Sequence, residues 1–240
     1  MRQIKLKYEF GDEYFISEAY KTLRTNIQFC GADVKVIAFT SCEAHEGKTT
    51  ICIELAKSFA ENGKKILLVD ADMRQSVAVS RYTDEKNVVG LSQLLSAQAG
   101  IEDVKFSTDA GFDLIFAGKF PPNPVELLGS KLFREFLERE KANYDYIFID
   151  TPPVGMVIDG AVISAACDSS VIVIGADMVS YKMVENVKTQ LQKSGCRILG
   201  VVLNQVTRKS DRYYRRYYSN GNYGYGYGAK PADKTEKKND

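Results

Sequence analysis

What this chain lacks narrows its function first. Its 32 Lys and Arg nearly balance its 31 Asp and Glu, for a formal net charge of +1. A nucleic-acid binder usually shows a far larger imbalance, so no nucleic-acid partner is expected and any basic function must be local. The five cysteines, Cys30, Cys42, Cys52, Cys167 and Cys196, are odd in number and include no Cys-x-x-Cys pair. That pattern suggests neither a disulfide framework nor a zinc knuckle, and reduced thiols in a cytosolic protein are the simpler reading. The opening "MRQIKLKYEFGDEYF" has no apolar central region of a secretory leader. Nor does any run approach the roughly 18 apolar residues of a membrane span. A cytoplasmic location is expected, with any membrane role supplied by a partner.

At 240 residues the chain fits one large α/β domain better than two small ones. Short apolar runs recur at 34–40, 65–70, 112–118, 144–150, 169–175 and 197–204. Helical periodicity lies between most of them, as in Val125, Leu128, Leu132, Phe136 and in Val184, Val187, Leu191. Tyr20, Leu23 and Ile27 follow Ser17, which reads as an N-cap, so a helix is expected before the first strand. Continuous apolar strands alternating with helices indicate a mainly parallel sheet covered by helices on both faces.

The apolar pattern stops after Asn204. "RYYRRYYSNGNYGYGYG" (212–228) then gathers Tyr213, Tyr214, Tyr217, Tyr218, Tyr223, Tyr225 and Tyr227, half of the chain's fourteen tyrosines. Neither helical nor strand packing accounts for them, since glycines weaken the one alternating stretch. We expect a domain over 1–207 and a disordered tail over 208–240. A Gly/Tyr tract can be a self-associating segment, and interleaved Arg and Tyr can stack on single-stranded nucleic acid. A third reading is that the tyrosines are displayed as substrates, which requires a kinase.

"EGKTT" follows an apolar strand and opens a helix, the placement that a phosphate-binding loop requires. In such a loop the backbone N–H groups of Glu46 and Gly47 face phosphates, Lys48 reaches the β and γ phosphates, and the Thr49 hydroxyl ligates Mg2+. The strict pattern has glycine where this chain has Cys42. "ILLVDADMR" sets Asp70 and Asp72 at a strand's C-terminal end, two residues apart and so on one side. "IFIDTPP" sets Asp150 at another such end. Ligands of open α/β sheets bind beyond those ends. Strand-end turns alone explain each aspartate taken singly, but paired carboxylates repel unless a cation or shared proton compensates, and magnesium with a nucleotide supplies one.

The order of "SCEAHEGKTT", "ILLVDADMR", "IFIDTPP" and a terminal tyrosine cluster resembles the bacterial tyrosine kinase (BY-kinase) family of capsule and exopolysaccharide operons. The resemblance runs from "SEAYKTLRTNI" to the last tyrosine. It implies a P-loop NTPase fold and an ATP- and Mg2+-dependent tyrosine autokinase that phosphorylates its own tail in trans. By the same resemblance Lys48, Thr49 and Thr50 handle phosphate and magnesium, and Asp70 faces the acceptor hydroxyl as base. Asp72 and Asp150 hold magnesium directly or through water, and Asn204 in "LGVVLNQV" reads the adenine. It further implies a ring-forming homo-oligomer, self-associating through Glu18, Lys21 and Arg24 of "EAYKTLR". A membrane adaptor whose cytoplasmic segment stimulates the kinase would recruit it to the inner face of the plasma membrane. Exogenous tyrosine substrates and a phosphotyrosine phosphatase complete the implied partners.

Two departures bear on these expectations. Lys21 stands where the self-association motif has arginine, and lysine lacks the planar fork for bidentate pairing. Ala44 and His45 stand where relatives commonly have Pro and Gly, and His45 tolerates a left-handed backbone less well than glycine. The single histidine is a weak catalytic candidate beside an aspartate base, and the prolines of "PPNPVELL" read as stiffening the approach to a helix. Two rivals stay open. A partitioning or division-site ATPase would carry a signature lysine where this chain has Glu43, and a nucleotide-sensing scaffold would use the tail without catalysis.

Overall fold

A computed structural model describes residues 2–7, 14–85 and 87–206. In chain order its elements are β1 (Arg2–Ile4), α1 (Tyr14–Gln28), β2 (Val36–Ser41), α2 (Lys48–Glu61), β3 (Ile66–Asp70), α3 (Ala78–Tyr82), α4 (Leu91–Leu95), α5 (Ile101–Val104), β4 (Lys105–Thr108), β5 (Asp113–Ile115), α6 (Pro124–Leu128), α7 (Lys131–Glu140), β6 (Tyr146–Asp150), α8 (Asp159–Ser164), β7 (Ser169–Gly175), α9 (Tyr181–Lys193) and β8 (Ile198–Asn204). The strands form one sheet in the order β1-β4-β5-β3-β6-β2-β7-β8. Every neighbouring pair is parallel except β4 with β5. The mainly parallel α/β reading therefore holds.

The unbroken apolar runs follow from burial on both faces. In β3, Ile66 and Leu68 join the core made with α2, whereas Leu67 and Val69 join the core made with α4 and α7. That split is the two-residue alternation of a strand applied to a sheet with helices on each side. A third apolar cluster seats α9, through Val187 and Leu191, on Ile172 of β7. The helical spacing seen in residues 184–191 thus marks a buried face.

Several local expectations change. Strands β1 and β4 were not anticipated; β4 returns to β5 through a turn in which Gly111 has φ +85°. The run 112–118 is strand only to Ile115, because the carbonyls of Phe116 and Ala117 turn away to accept the N–H groups of Leu91 (2.7 Å) and Ser92 (3.0 Å). Helix α1 starts at Tyr14, so Ser17 lies within the helix and does not cap it. The expected helix through Val125 and Phe136 is two helices. Ser130 Oγ accepts the N–H of Phe133 at 3.2 Å and caps α7. Phe133 then fills the core and Leu132 faces outward.

Residues up to Gln205 belong to one compact unit. All seven tail tyrosines lie outside the described residues. No helix among the described residues is long and apolar enough to cross a membrane.

Candidate active site

The sheet order puts β3, β6 and β2 side by side, and their C-terminal ends carry the candidate residues. Asp70 pairs in register with Asp150, which pairs in turn with Phe39 of β2. Two residues past Phe39, β2 ends at Ser41 and the segment 42–47 turns into α2. Asp70 and Asp150 are therefore neighbours beside the phosphate loop, and both are almost wholly buried.

The loop has the backbone that its glycines and its histidine must supply. Gly47 has φ +87° and His45 has φ +66°, so His45 does adopt a left-handed conformation that glycine takes more readily. A Cβ at Gly47 would come within 2.1 Å of the Asn204 amide nitrogen. Lys48 opens α2 with its Nζ donating to Ser41 Oγ at 2.8 Å, which folds it back over the loop. Cys42 is buried, and its thiol is pushed up to about 11 by that burial and then by Glu46 and Glu43, so it stays neutral. A Cβ on Gly155 would sit 2.1 Å from the Cys42 carbonyl oxygen, so glycine there lets the segment after β6 close against the loop.

The Glu46 side chain serves the loop itself. Its carboxylate accepts the N–H groups of Glu43 (2.6 Å) and Gly175 (3.1 Å), leaving only its backbone for a ligand. Asn204 and Gln205 hold the loop from the other side, donating to the carbonyls of Glu46 (2.9 Å) and His45 (2.8 Å). The Asn204 amide thus binds protein here. Thr50 is likewise committed, its hydroxyl 2.8 Å from that of buried Tyr82.

Around the carboxylates, Thr49 Oγ1 donates to Asp150 Oδ2 at 2.6 Å, while Asp150 Oδ1 is buried without a hydrogen-bond partner. Burial raises the Asp150 carboxyl to about 6 against the opposing pull of Lys48 and Thr49. Burial, and then the Asp150 charge, raises Asp70 well above the usual carboxylate range, although Ser76 donates to it through a short hydrogen bond. Asp72 lies beyond the end of β3, so strand alternation does not set its direction. Its carboxylate accepts the N–H groups of Arg74 (3.2 Å) and Gln75 (2.9 Å) in a turn, yet its charge still raises both other aspartates.

No three acidic, His or Cys side chains among the described residues converge as a metal cage. The carboxylates therefore share a field without enclosing an ion. The residues nonetheless fit a hard divalent cation that brings its own phosphate and water ligands, because an orphaned carboxylate oxygen and a threonine hydroxyl stand together. A separate cavity of about 430 Å³, lined by Lys65, Ile66, Phe112, Asp113, Asn143 and Tyr144, opens at the N-terminal strand ends, away from this chemistry.

Sequence reasoning missed the supports. Ser76 six residues beyond Asp70, and Tyr82 beside Thr50, follow no motif. Nor does Asp159, which is fully buried and receives Arg74 through two hydrogen bonds of 2.8 and 3.1 Å. The self-association trio is divided as well. Lys21 pairs with Glu18 at 2.7 Å, but Arg24 turns inward and donates to the Ser58 carbonyl (2.5 Å) and hydroxyl (3.0 Å) of α2.

Comparison with known proteins places the chain among its relatives. A family model described as an AAA domain matches residues 34–197. The tyrosine-protein kinase CpsD of Streptococcus agalactiae is 41% identical over 208 residues, covering 86% of this chain and 89% of its own length. The tyrosine-protein kinase YwqD of Bacillus subtilis is 35% identical, over 86% of this chain and 88% of its own. The solved kinase domain of the Escherichia coli tyrosine kinase ETK superposes with a TM-score of 0.76 at 29% identity, over 89% of this chain and 80% of that one. A phosphate loop, register-matched strand-end aspartates and these relatives agree: the chain belongs to the bacterial tyrosine kinase family.

Proposed function

We infer that this protein is an ATP-dependent protein-tyrosine kinase whose own tail, from residue 208 onward, is its acceptor in trans to a catalytic domain over 1–207. The observation that carries the reading is the buried pair Asp70 and Asp150 beside the phosphate loop, with one Asp150 oxygen left unpartnered. Such a pair costs stability in an ordinary strand end, and it has a use where charged phosphates and a cation meet.

In this reading Lys48 and the backbone of residues 46–50 bind the β and γ phosphates. Thr49 and Asp150 would hold magnesium, with Asp72 acting through water. Magnesium held there with ATP would neutralise charge that develops on the transferred phosphoryl group. Asp70 accepts the tyrosine proton as the phenolic oxygen bonds to the γ phosphorus, the bond from that phosphorus to the β–γ bridging oxygen breaks and ADP leaves. A phenol of pKa about 10 is not ionised at neutral pH, and a carboxylate raised by burial is the better proton acceptor for it. Asn204, already at the loop, is offered as the adenine reader.

A partitioning ATPase is the weaker reading, because Glu43 occupies the signature lysine position and its N–H is engaged by Glu46. The tyrosine-kinase names of the relatives fit a role in capsule or exopolysaccharide synthesis; a membrane adaptor as activator is proposed from the family resemblance. Assembly into a ring through α1 rests on Glu18 and Lys21 more than on Arg24. The test is phosphotyrosine immunoblotting of purified protein incubated with ATP, Mg2+ and an adaptor's cytoplasmic fragment. A signal that grows with time supports the kinase, and none under these conditions refutes it.

A further inference from the structure

The C-terminal edge of the sheet carries more than its carboxylates. Three loops leave it from adjacent strands β5, β3 and β6, and each exposes a large apolar side chain. Phe120 is 65% exposed, Val77 43%, Met156 60% and Ile158 56%. These loops meet around Arg74. Its guanidinium clasps Asp159, the residue after Ile158, and the charge of Glu126, in the helix that follows Phe120, acts on it. The Ser92 hydroxyl holds the Lys119 carbonyl at 2.6 Å, which anchors the loop next to Phe120. Helix α6 also reaches α8, where a Cβ on Gly129 would lie 3.4 Å from Val162. Each of the three loops that Arg74 links thus exposes a large apolar group at the sheet edge that carries the aspartates.

Met156, next to Gly155, sits beside the phosphate loop, but Phe120 and Val77 follow β5 and β3, across β6 from that loop and Asn204, where an ATP site has no need of an apolar rim. The acceptor does need a surface there, since its hydroxyl must reach Asp70 on β3. We propose that Val77, Phe120, Met156 and Ile158 form a docking rim for the tyrosines that flank the reacting one in the tail of a second copy of this chain. This rests on the reading that the tail is the acceptor.

The chemistry of the tail matches the rim. Its tyrosines come as adjacent pairs (213/214, 217/218) and at two-residue intervals (223/225/227). In extended chain such neighbours stand about 3.5 to 7 Å apart. When one hydroxyl reaches Asp70, the next ring falls on the surrounding loops. Tyrosine buries an apolar ring and keeps its hydroxyl in water, which suits a half-exposed surface. The arginines at 212, 215 and 216 would find the accessible carboxylates of Asp72 and Glu126 on this edge. Tyr213 comes nine residues after Asn204, where β8 ends.

Two full-length variants test the rim, Phe120→Ser and the double change Met156→Ser with Ile158→Ser. All three side chains are mainly exposed, so the fold should persist. The acceptors are the full-length Lys48→Met chain, and synthetic peptides of 212–228 that keep Tyr217 alone with the other tyrosines changed to Phe or to Ala. The Phe peptide should keep wild-type KM and the Ala peptide should lose about tenfold, because only the ring is read. Each rim variant should raise KM for the Lys48→Met chain by about tenfold with kcat and ATP affinity nearly unchanged, and should erase the difference between the peptides. Peptide binding followed by fluorescence anisotropy with a non-hydrolysable ATP analogue separates this claim from the activity claim. Rim-dependent binding without transfer would keep the docking rim and refute the kinase reading. Equal binding and equal KM in wild type and variants would overturn the rim, as would variants that alter only the sedimentation of the protein, which would assign the surface to contacts between domains of neighbouring copies.

Discussion

Replacing Asp150 with asparagine should make the metal-free protein more stable above pH 6 while abolishing transfer. The carboxyl is raised from 3.8 to about 6 by burial, so the folded state holds its proton more tightly than the unfolded chain does. Stability then falls as pH rises from the unfolded value through the folded one, because the folded state binds more protons over that window. A displacement of about two pH units at about 1.4 kcal/mol each costs up to about 3 kcal/mol at neutral pH. Asparagine removes that cost, and it relieves Asp70 as well, whose carboxyl the Asp150 charge raises. The variant keeps an acceptor for the Thr49 hydroxyl but turns the orphaned oxygen into an unpaired N–H, a penalty of about 1–2 kcal/mol. The net gain is about 1–2 kcal/mol, or a Tm rise of about 3–6 °C for a domain of this size. Melting both proteins in chelator at pH 4, 6 and 8 reads it. The gain should be absent at pH 4, where the folded carboxyl keeps its proton and the unfolded one has only begun to lose its own, and largest at pH 8. A variant less stable than wild type at pH 8, or a difference that ignores pH, would refute the reasoning.

Other perturbations address other parts of the site. Lys48→Met should abolish autophosphorylation and weaken ATP binding, measured by calorimetry, because the lost cation faces the phosphates. Gly47→Ala should cost nucleotide affinity and about 1 kcal/mol or more of stability in urea melts, since a Cβ meets both a positive φ and the Asn204 amide. Arg24→Ala should lower stability by about 1–2 kcal/mol through its lost bonds to Ser58, whereas Glu18→Ala with Lys21→Ala should leave stability nearly unchanged and shift light scattering toward monomer. The tail root carries five basic residues from Arg208 to Arg216 against Asp211, and each phosphotyrosine adds about −1.5 to −2 charge. ATP treatment should therefore dissociate the oligomer at low salt, and changing all seven tail tyrosines to Phe should prevent that.

The sheet was legible because burial on two faces leaves unbroken apolar runs, which marked β2, β3, β6, β7 and β8 nearly to their ends. β1 and β4 escaped because they are short edge-side strands, in which polar residues such as Gln3, Lys105 and Ser107 interrupt the pattern. The phosphate loop and the aspartates could be read because their chemistry demands fixed residue types at fixed distances from a strand end. Their supports could not. Ser76, Tyr82 and Asp159 act through hydrogen bonds between elements, and a hydroxyl or carboxylate far along the chain announces no partner. Glu46 shows the converse: its place in the motif suggested a ligand contact, while its buried side chain ties residues 43 and 175 together. Arg24 shows that spacing on a helix gives a face but does not say whether that face meets another molecule or α2 of the same chain.

The most direct measurement maps phosphate on the tail by mass spectrometry after incubation of purified full-length protein with ATP, Mg2+ and an adaptor's cytoplasmic fragment, for wild type and Asp70→Asn with ATP affinity measured in parallel. The account predicts phosphotyrosine within 213–227 of the wild type, and its loss in Asp70→Asn at nearly unchanged ATP affinity. Equal tail phosphorylation in the two proteins, or a wild-type tail left unmodified, would contradict it.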